Sequence, residues 1–448
     1  MKTSTWFQNK WDSFRSNFWL LPAMMSTGAM VLCLVLLSID RRIGFILPFT
    51  GAGSLNSMRS ILAVLIGALV TTLSIAFSST VVVLTLAASQ LGPRLLRIYV
   101  RDKSNQVLIG IFSSAVFYNL TALFVVGRLD DSGGVPNLTI LGAFGMTCAA
   151  LFVLIYFIHH VARSIQAPNV ILSVAAELRS LIRTTYPDQN LLEDSSLHMD
   201  SEELVSQLLP LIGSVRSPRS GYIQAVDVKS LLNLAKAHSC TVRAIRMSGD
   251  FVMEGESLAD IHGEEPLEKE IYDLITSGFI VGNYRTATQD VEFVLLELVE
   301  IAVRALSPGI NDPFTARTCV DRLTEALCLF SERGEPNLRE YDEAGKLRLL
   351  IDHANFNRFC DTAYHQIRQH AASEPSILIH LIESFEKVML HTKKKDQKQS
   401  LWRHACMVKR AGERLAEPDD RADVDRRFQH LAVVFRGQPE ETLTDNDA

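Results

Sequence analysis

The first 165 residues contain no glutamate, and their five aspartates stand against 12 lysines and arginines. That half carries a formal charge of +7 and the remainder −13, so two chemically different halves meet near Arg163. Charge is missing altogether from residues 21–39, 61–89, 105–127 and 138–159. Ion-coupled transporters need ionisable groups within their spans to carry the coupled charge, and this lack argues against one. The seven cysteines form no C-x-x-C pair, and none lies in a segment expected outside the membrane. A zinc or disulfide framework is therefore not expected, and a reducing compartment is. No cofactor and no metal is expected.

Long apolar runs are present instead. Each of the four charge-free stretches is long enough to cross roughly 30 Å of hydrocarbon as a helix. Before them, Trp6, Phe7, Trp11, Phe14, Phe18 and Trp19 mix with Lys2, Lys10 and Arg15. This composition suits an interfacial amphipathic segment over residues 1–20 rather than a signal peptide. With the N-terminus inside, eight Lys or Arg fall in inner segments and four in outer loops. The positive-inside rule then predicts a multi-pass protein of the bacterial inner membrane with both termini cytoplasmic.

The second run has a distinct pattern. At 100° per residue, Ser60, Gly67, Thr71, Ser74, Ser78, Thr85 and Ser89 fall within an arc of roughly 60°. Such a stripe packs against a neighbouring span, where small residues allow close approach, or it lines a wet, uncharged path. Packing is the default for the stripe taken alone. The next loop, with Arg94, Arg97, Arg101 and Lys103, is a basic patch suited to lipid head groups or to coupling with the acidic half. Tyr118 and Asn119 are the polar exceptions in the third span, and helix–helix contact is the expected use of the Asn. His159 and His160 diverge by 100° on one helix, which disfavours a shared metal; interfacial anchoring is the expected role and pH sensing the alternative.

From Ser164 the pattern becomes that of a water-soluble region. Gln166–Asn169 opens a helix with Ile171, Val174, Ala175, Leu178 and Ile182 on one face. A helix ending near Ile212 is expected next, followed by short strands at Gly221–Asp227, Thr241–Met247 and around Phe251. The phrase from Gly249 to Leu258 is similar to a turn-and-strand element of lipoyl-type modules, without their acceptor lysine. The rest reads as helical: Asp290–Leu306, Thr315–Phe330, Leu349–Ala371 and Pro375–His391, with a charged break at Lys393–Lys398. Ser307-Pro-Gly-Ile-Asn-Asp-Pro313 is a rigid turn in which Pro308 stops one helix and Asn311 or Asp312 caps the next, with Gly309 supplying conformational freedom. Glu297, Glu300, Arg304, Asn311 and Asp312 form a possible cytoplasmic polar site, a solvated face being the default. No phosphate loop or nucleophile–base pair accompanies it, so an enzyme is not expected.

Three stretches carry a family resemblance: Phe77 to Arg97, Tyr156 to Gln166, and Arg304 to Ala316. Together they resemble the DUF2254 family of predicted bacterial membrane proteins. The resemblance implies four spans and a large cytoplasmic region, and it implies no activity and no site residues.

The expected fold is an α-helical membrane domain of four transmembrane helices plus a cytoplasmic α+β domain with a small β-sandwich-like segment and a helical layer. Its parts are residues 1–20 (interfacial), 21–165 (four spans), 166–213 (linking helices), 214–286 (β-rich), 287–415 (helical) and 416–448 (C-terminal helix and disordered tail). The leading functional expectation is a homo-oligomeric channel-like pore for small ions or solutes, gated by the cytoplasmic domain. The alternative is a non-conducting sensor or scaffold whose cytoplasmic domain binds a ligand or protein. The partners expected are membrane lipids, further copies of the chain and an unknown small ligand, with no nucleic acid.

Overall fold

A computed structural model describes residues 19–43, 55–92, 103–128, 136–164, 166–186, 208–333, 338–351 and 354–437. The chain divides into two compact units, Met1–Val170 and Ile171–Ala448.

Among the described residues the first unit holds four helices long and apolar enough to cross a membrane. They are α1 (Leu20–Ile43), α2 (Leu55–Leu91), α3 (Lys103–Val126) and α4 (Asn137–Ser164). Each of the four charge-free sequence stretches lies within one of them, apart from Gly127 beyond the end of α3. Helix α3 is the central one: Tyr118, Ala122 and Val126 bury against Ala29 and Cys33 of α1, Leu62 of α2 and Ala143 of α4. A second layer joins Leu69 of α2, Phe112 and Ala115 of α3 and Ala150 of α4.

Charge enters this bundle only at its ends. The carboxylate of Asp40, buried at the end of α1, accepts from the Leu138 and Thr139 amides at 2.9 Å each and from the Thr139 hydroxyl at 2.8 Å. It thereby caps α4 with a negative charge at the positive end of that helix. Arg59, at the start of α2, donates to the Val126 carbonyl at the end of α3, 3.1 Å from Nη2. Both contacts match the sign of the helix dipole they meet.

Close packing sets two further positions. Tyr118 is fully buried and donates to the Thr139 carbonyl at 3.0 Å. A Cβ added at Gly142 would lie 2.2 Å from the Tyr118 hydroxyl oxygen. Gly142→Ala is therefore expected to lower the thermal stability of the solubilised protein by about 1–3 kcal/mol, because the tyrosine cannot retreat without leaving its acceptor. Asn119 donates to the Ala115 carbonyl at 2.8 Å and reaches Thr147 of α4 at 3.4 Å, a helix-to-helix contact as expected.

Helix α5 (Ala167–Thr185) runs on from α4 after a short break and enters the second unit. Its apolar face, Ile171, Val174, Ala175, Leu178 and Ile182, is buried as the periodicity predicts. The second unit then holds two sheets. One has five strands in the order β1-β5-β3-β8-β7, and the other three in the order β4-β2-β6. The strands are β1 (Leu211–Arg216), β2 (Gly221–Val226), β3 (Thr241–Ala244), β4 (Phe251–Val252), β5 (Ser257–His262), β6 (Phe279–Gly282), β7 (Leu338–Tyr341) and β8 (Leu347–Ile351). Among the described strands only β3 and β8 pair in parallel. Ile223, Val242, Leu258, Ile261 and Leu349 share one core, closed by Leu231 of α6 (Val228–Ala237) and Ile275 of α7 (Lys269–Thr276).

Three sequence expectations are corrected here. Residues near Ile212 form strand β1, not the end of a helix, and pair with β5 across a bulge. Leu349 lies in β8 rather than opening a helix; the helix there, α10, is Phe356–His370. The region after residue 287 is not purely helical, since β7 and β8 join the five-stranded sheet. Short buried apolar runs such as Leu347–Ile351 fit either structure by periodicity, and the partner strand decides.

The further described helices of this unit are α8 (Val291–Ala305), α9 (Pro313–Ser331), α10, α11 (Pro375–His391), α12 (Lys395–Gly412) and α13 (Pro418–Arg436). The charged break narrows to Thr392–Lys394, between α11 and α12. The interfacial segment, the basic loop from Arg94 to Arg101 and the tail beyond Gly437 lie outside the described residues.

Candidate functional site

Helix α2 stands apart from the other three. Only 11% of its most apolar window is buried, against 44% for α3. Its buried residues are Leu55, Met58, Leu62, Leu69, Thr80 and Leu84, a single narrow seam. By helical geometry the stripe lies about 160° away from that seam. Gly67, Thr71, Ser74, Ser78, Thr85 and Ser89 are all exposed on the single chain. Among the described residues no span of the same chain covers the stripe, since larger side chains form the seam. Val64, Ile75 and Val82 flank the stripe on one side, Val70, Phe77 and Val81 on the other, all exposed.

The hydroxyls are not left wanting. Thr71, Ser74 and Thr85 donate to the carbonyls of Gly67, Val70 and Val81 at 2.7–2.8 Å, each four residues back. Ser89 donates to the Leu86 carbonyl at 2.7 Å. Back-bonding satisfies each donor inside the helix and leaves oxygen lone pairs facing outward. The stripe also contains three pairs of small residues four apart: Gly67 with Thr71, Ser74 with Ser78, and Thr85 with Ser89. That spacing favours close approach of another helix in lipid. With 37 residues, α2 is about 55 Å long at 1.5 Å per residue, well beyond the hydrocarbon thickness.

Lys103 is the exposed first residue of α3, while Arg94, Arg97 and Arg101 are not described. His159 is exposed and His160 stacks on Tyr156, with ring centroids 5.7 Å apart.

In the second unit the predicted polar group is only partly assembled. Glu300 and Arg304 form the expected i,i+4 ion pair at 3.1 Å. Glu297 is buried, so the stripe of the three is not a solvated face. Asp312 caps α9, accepting from the Thr315 amide at 3.1 Å, with Pro313 in the first turn. The left-handed residue of the turn is Asn311, at φ +49°, not Gly309. Arg304 and Asn311 line an open cleft with Gln369, His370, Ser373 and Glu374.

A second feature lay beyond sequence reasoning. Thr184–Tyr186 at the end of α5, Val226, Met247, Ser248, residues 288–292, Ile351, Ala354 and Phe359 line a cavity of about 290 Å³. Gln289 pairs with both backbone groups of Val226, at 2.9 and 3.1 Å. Asp290 caps α8 through the Phe293 amide at 2.9 Å and takes two bonds from Arg285, at 2.7 and 2.9 Å. Glu292 takes Arg358 at 2.8 Å and Thr362 at 2.8 Å. Burial pushes the Asp290 carboxyl above the ordinary aspartate range, against the pull of Arg285 and the Phe293 amide. Burial also pushes Glu292 up, but the bonds from Arg358 and Thr362 and the two guanidinium charges outweigh it and leave that carboxyl below its usual range. The cavity can seat a small molecule against Val226, Val291 and Phe359 beside this paired cluster. The one sequence cue was Asp290 three residues before Phe293. Arg358 lies 66 residues from Glu292, and no local pattern joins them.

Comparison with known proteins agrees with the architecture. Uncharacterised proteins of Mycobacterium bovis and Mycobacterium tuberculosis are 30% identical over 378 residues, covering 83% of this chain and 71% of theirs. No solved structure matches the chain. The family model described as "Predicted membrane protein (DUF2254)" matches residues 15–387, and the chain belongs to that family.

Proposed function

We propose that the protein is a homo-oligomeric, channel-like membrane pore, in which α2 helices of several copies turn their hydroxyl stripes toward a common axis. The observation that carries this reading is the outward-facing stripe, about 160° from the seam that holds α2 to its own bundle. Lipid makes no demand for hydroxyls, and scattering them around the helix would cost nothing. Five of the eight hydroxyls between Ile61 and Ser89 fall on this one free face, with Thr72, Ser79 and Thr80 outside it, and that bias fits a surface that meets other copies and a polar lumen. The charge-free spans fit passive movement of small ions or solutes rather than coupled transport. The C-terminal unit, joined to α4 through α5, is the gating part, and the cavity beside Thr184–Tyr186 is its place for a small effector. The orientation proposed is both termini in the cytoplasm of the bacterial inner membrane.

Purified protein reconstituted into liposomes loaded with a fluorescent ion indicator tests this reading. Flux of small monovalent ions above that of protein-free liposomes is expected. Flux at background from correctly assembled oligomers would favour the non-conducting sensor or scaffold.

A further inference from the structure

Helices α10 and α12 bring three metal-ligating side chains to one point, none of which lines either cleft of the second unit. Asp361 and His365 lie one turn apart on α10, and His404 reaches them from α12. The Nε2 atoms of His365 and His404 lie 3.1 Å and 2.9 Å from the same Asp361 oxygen, Oδ1. The ligand atoms all fall within 4.8 Å of one another. Bonds of about 2.1 Å meeting at tetrahedral or octahedral angles place neighbouring ligand atoms roughly 3.0–3.4 Å apart, so the two Asp361–His separations match those around an ion and the two imidazoles, within 4.8 Å, are left to draw together on binding.

The surroundings fit a partly prebuilt site. His404 has no exposed surface and is held between the rings of Tyr364 and Phe385 and the imidazole of His365. Asp361 and His365 are about one-third exposed, which gives an ion a way in and leaves open positions for water. Arg403 also donates to Asp361 Oδ1, from a half-exposed side chain. A guanidinium on that oxygen competes with a cation, and its exposure lets it swing into solvent. An ordinary surface ion pair accounts for Arg403 and Asp361. It does not account for two imidazoles from different helices converging on the same oxygen.

We propose that Asp361, His365 and His404 bind one divalent transition-metal ion of the Zn2+ class. Two imidazoles and one carboxylate suit borderline metals and not Mg2+ or Ca2+, which prefer all-oxygen shells. The His404 Nδ1 is buried with no hydrogen-bond partner, so the outer shell that usually strengthens a histidine ligand is missing on that side. That loss is worth about 10- to 100-fold in affinity.

Full-length protein, stripped with a chelator and titrated calorimetrically with ZnCl2 in excess Mg2+, tests the site. One Zn2+ per chain is expected. Asp361→Asn and His365→Gln, both at partly exposed positions, are each expected to weaken binding more than about 10-fold with the fold unchanged by circular dichroism. Arg403→Ala is expected to tighten binding, whereas a purely structural ion pair predicts no change in Zn2+ affinity. Absence of stoichiometric binding by the wild type, equal binding by His365→Gln, or unchanged affinity in Arg403→Ala would each overturn the proposal.

Discussion

Asp290→Ala is expected to be among the most damaging single substitutions in the C-terminal unit, lowering stability by about 3–5 kcal/mol. The residue is 3% exposed and does three jobs at once. It caps α8, it neutralises Arg285, and it backs the turn that leads into β4. Removing it leaves a half-buried guanidinium whose remaining carboxylate, Glu292, is 3.6 Å away and already shared with Arg358. Loss of the cap alone costs about 1 kcal/mol, so most of the effect comes from the orphaned charge. The turn is drawn in because Gly249 sits at φ +97°, and a Cβ there would come 2.3 Å from Asp290 Oδ2. Asp290→Asn, which keeps the cap acceptor, should lose less. Thermal unfolding of the solubilised full chain is expected to show the Ala variant melting about 10 °C lower and the Asn variant in between.

The second large effect concerns conduction. Ser74→Leu with Ser78→Leu places two bulky side chains on the free face of α2, one turn apart and far from the seam with α3 and α4. The fold of the single chain should tolerate this, because neither position is buried and leucine is a strong helix former. A lumen lined by the stripe would narrow and dry at both levels, since apolar constrictions block conduction by dewetting. Ion flux in liposomes is expected to fall to background while expression, melting temperature and helix content stay close to wild type. Unchanged flux in a well-assembled double variant would mean that the stripe does not line the path.

The membrane half was legible because its signals are local: length, apolarity and absence of charge place each span within a few residues of its helix. The stripe was legible as an arc on α2. Its direction was not, because which face meets α3 and α4 depends on Leu62 and Leu69 finding Tyr118 and Phe112. In the C-terminal unit, strands β2, β3 and β4 could be read from alternation and turn residues. Strand β8 could not, because Leu347–Ile351 is short, with Leu350 sharing the face of Arg348, and its parallel partner β3 lies about a hundred residues earlier. The Asp312 cap was readable from an Asp before a Pro. The Glu292–Arg358 pair and the meeting of His404 with Asp361 were not, since only the packing of α8, α10 and α12 brings those groups together.

The central claim is that the α2 stripe faces other copies of the same chain. Single cysteines placed at Ser74, Ser78 and Leu86, in a chain with its seven native cysteines replaced, test it most directly by oxidative cross-linking in native membranes. Cysteine at Ser74 and at Ser78 is expected to give covalent dimers in high yield, while cysteine at Leu86, on a flanking apolar face, gives few. Efficient dimers through Leu86 with none through the stripe would contradict the account, because the hydroxyl face would then be turned to lipid.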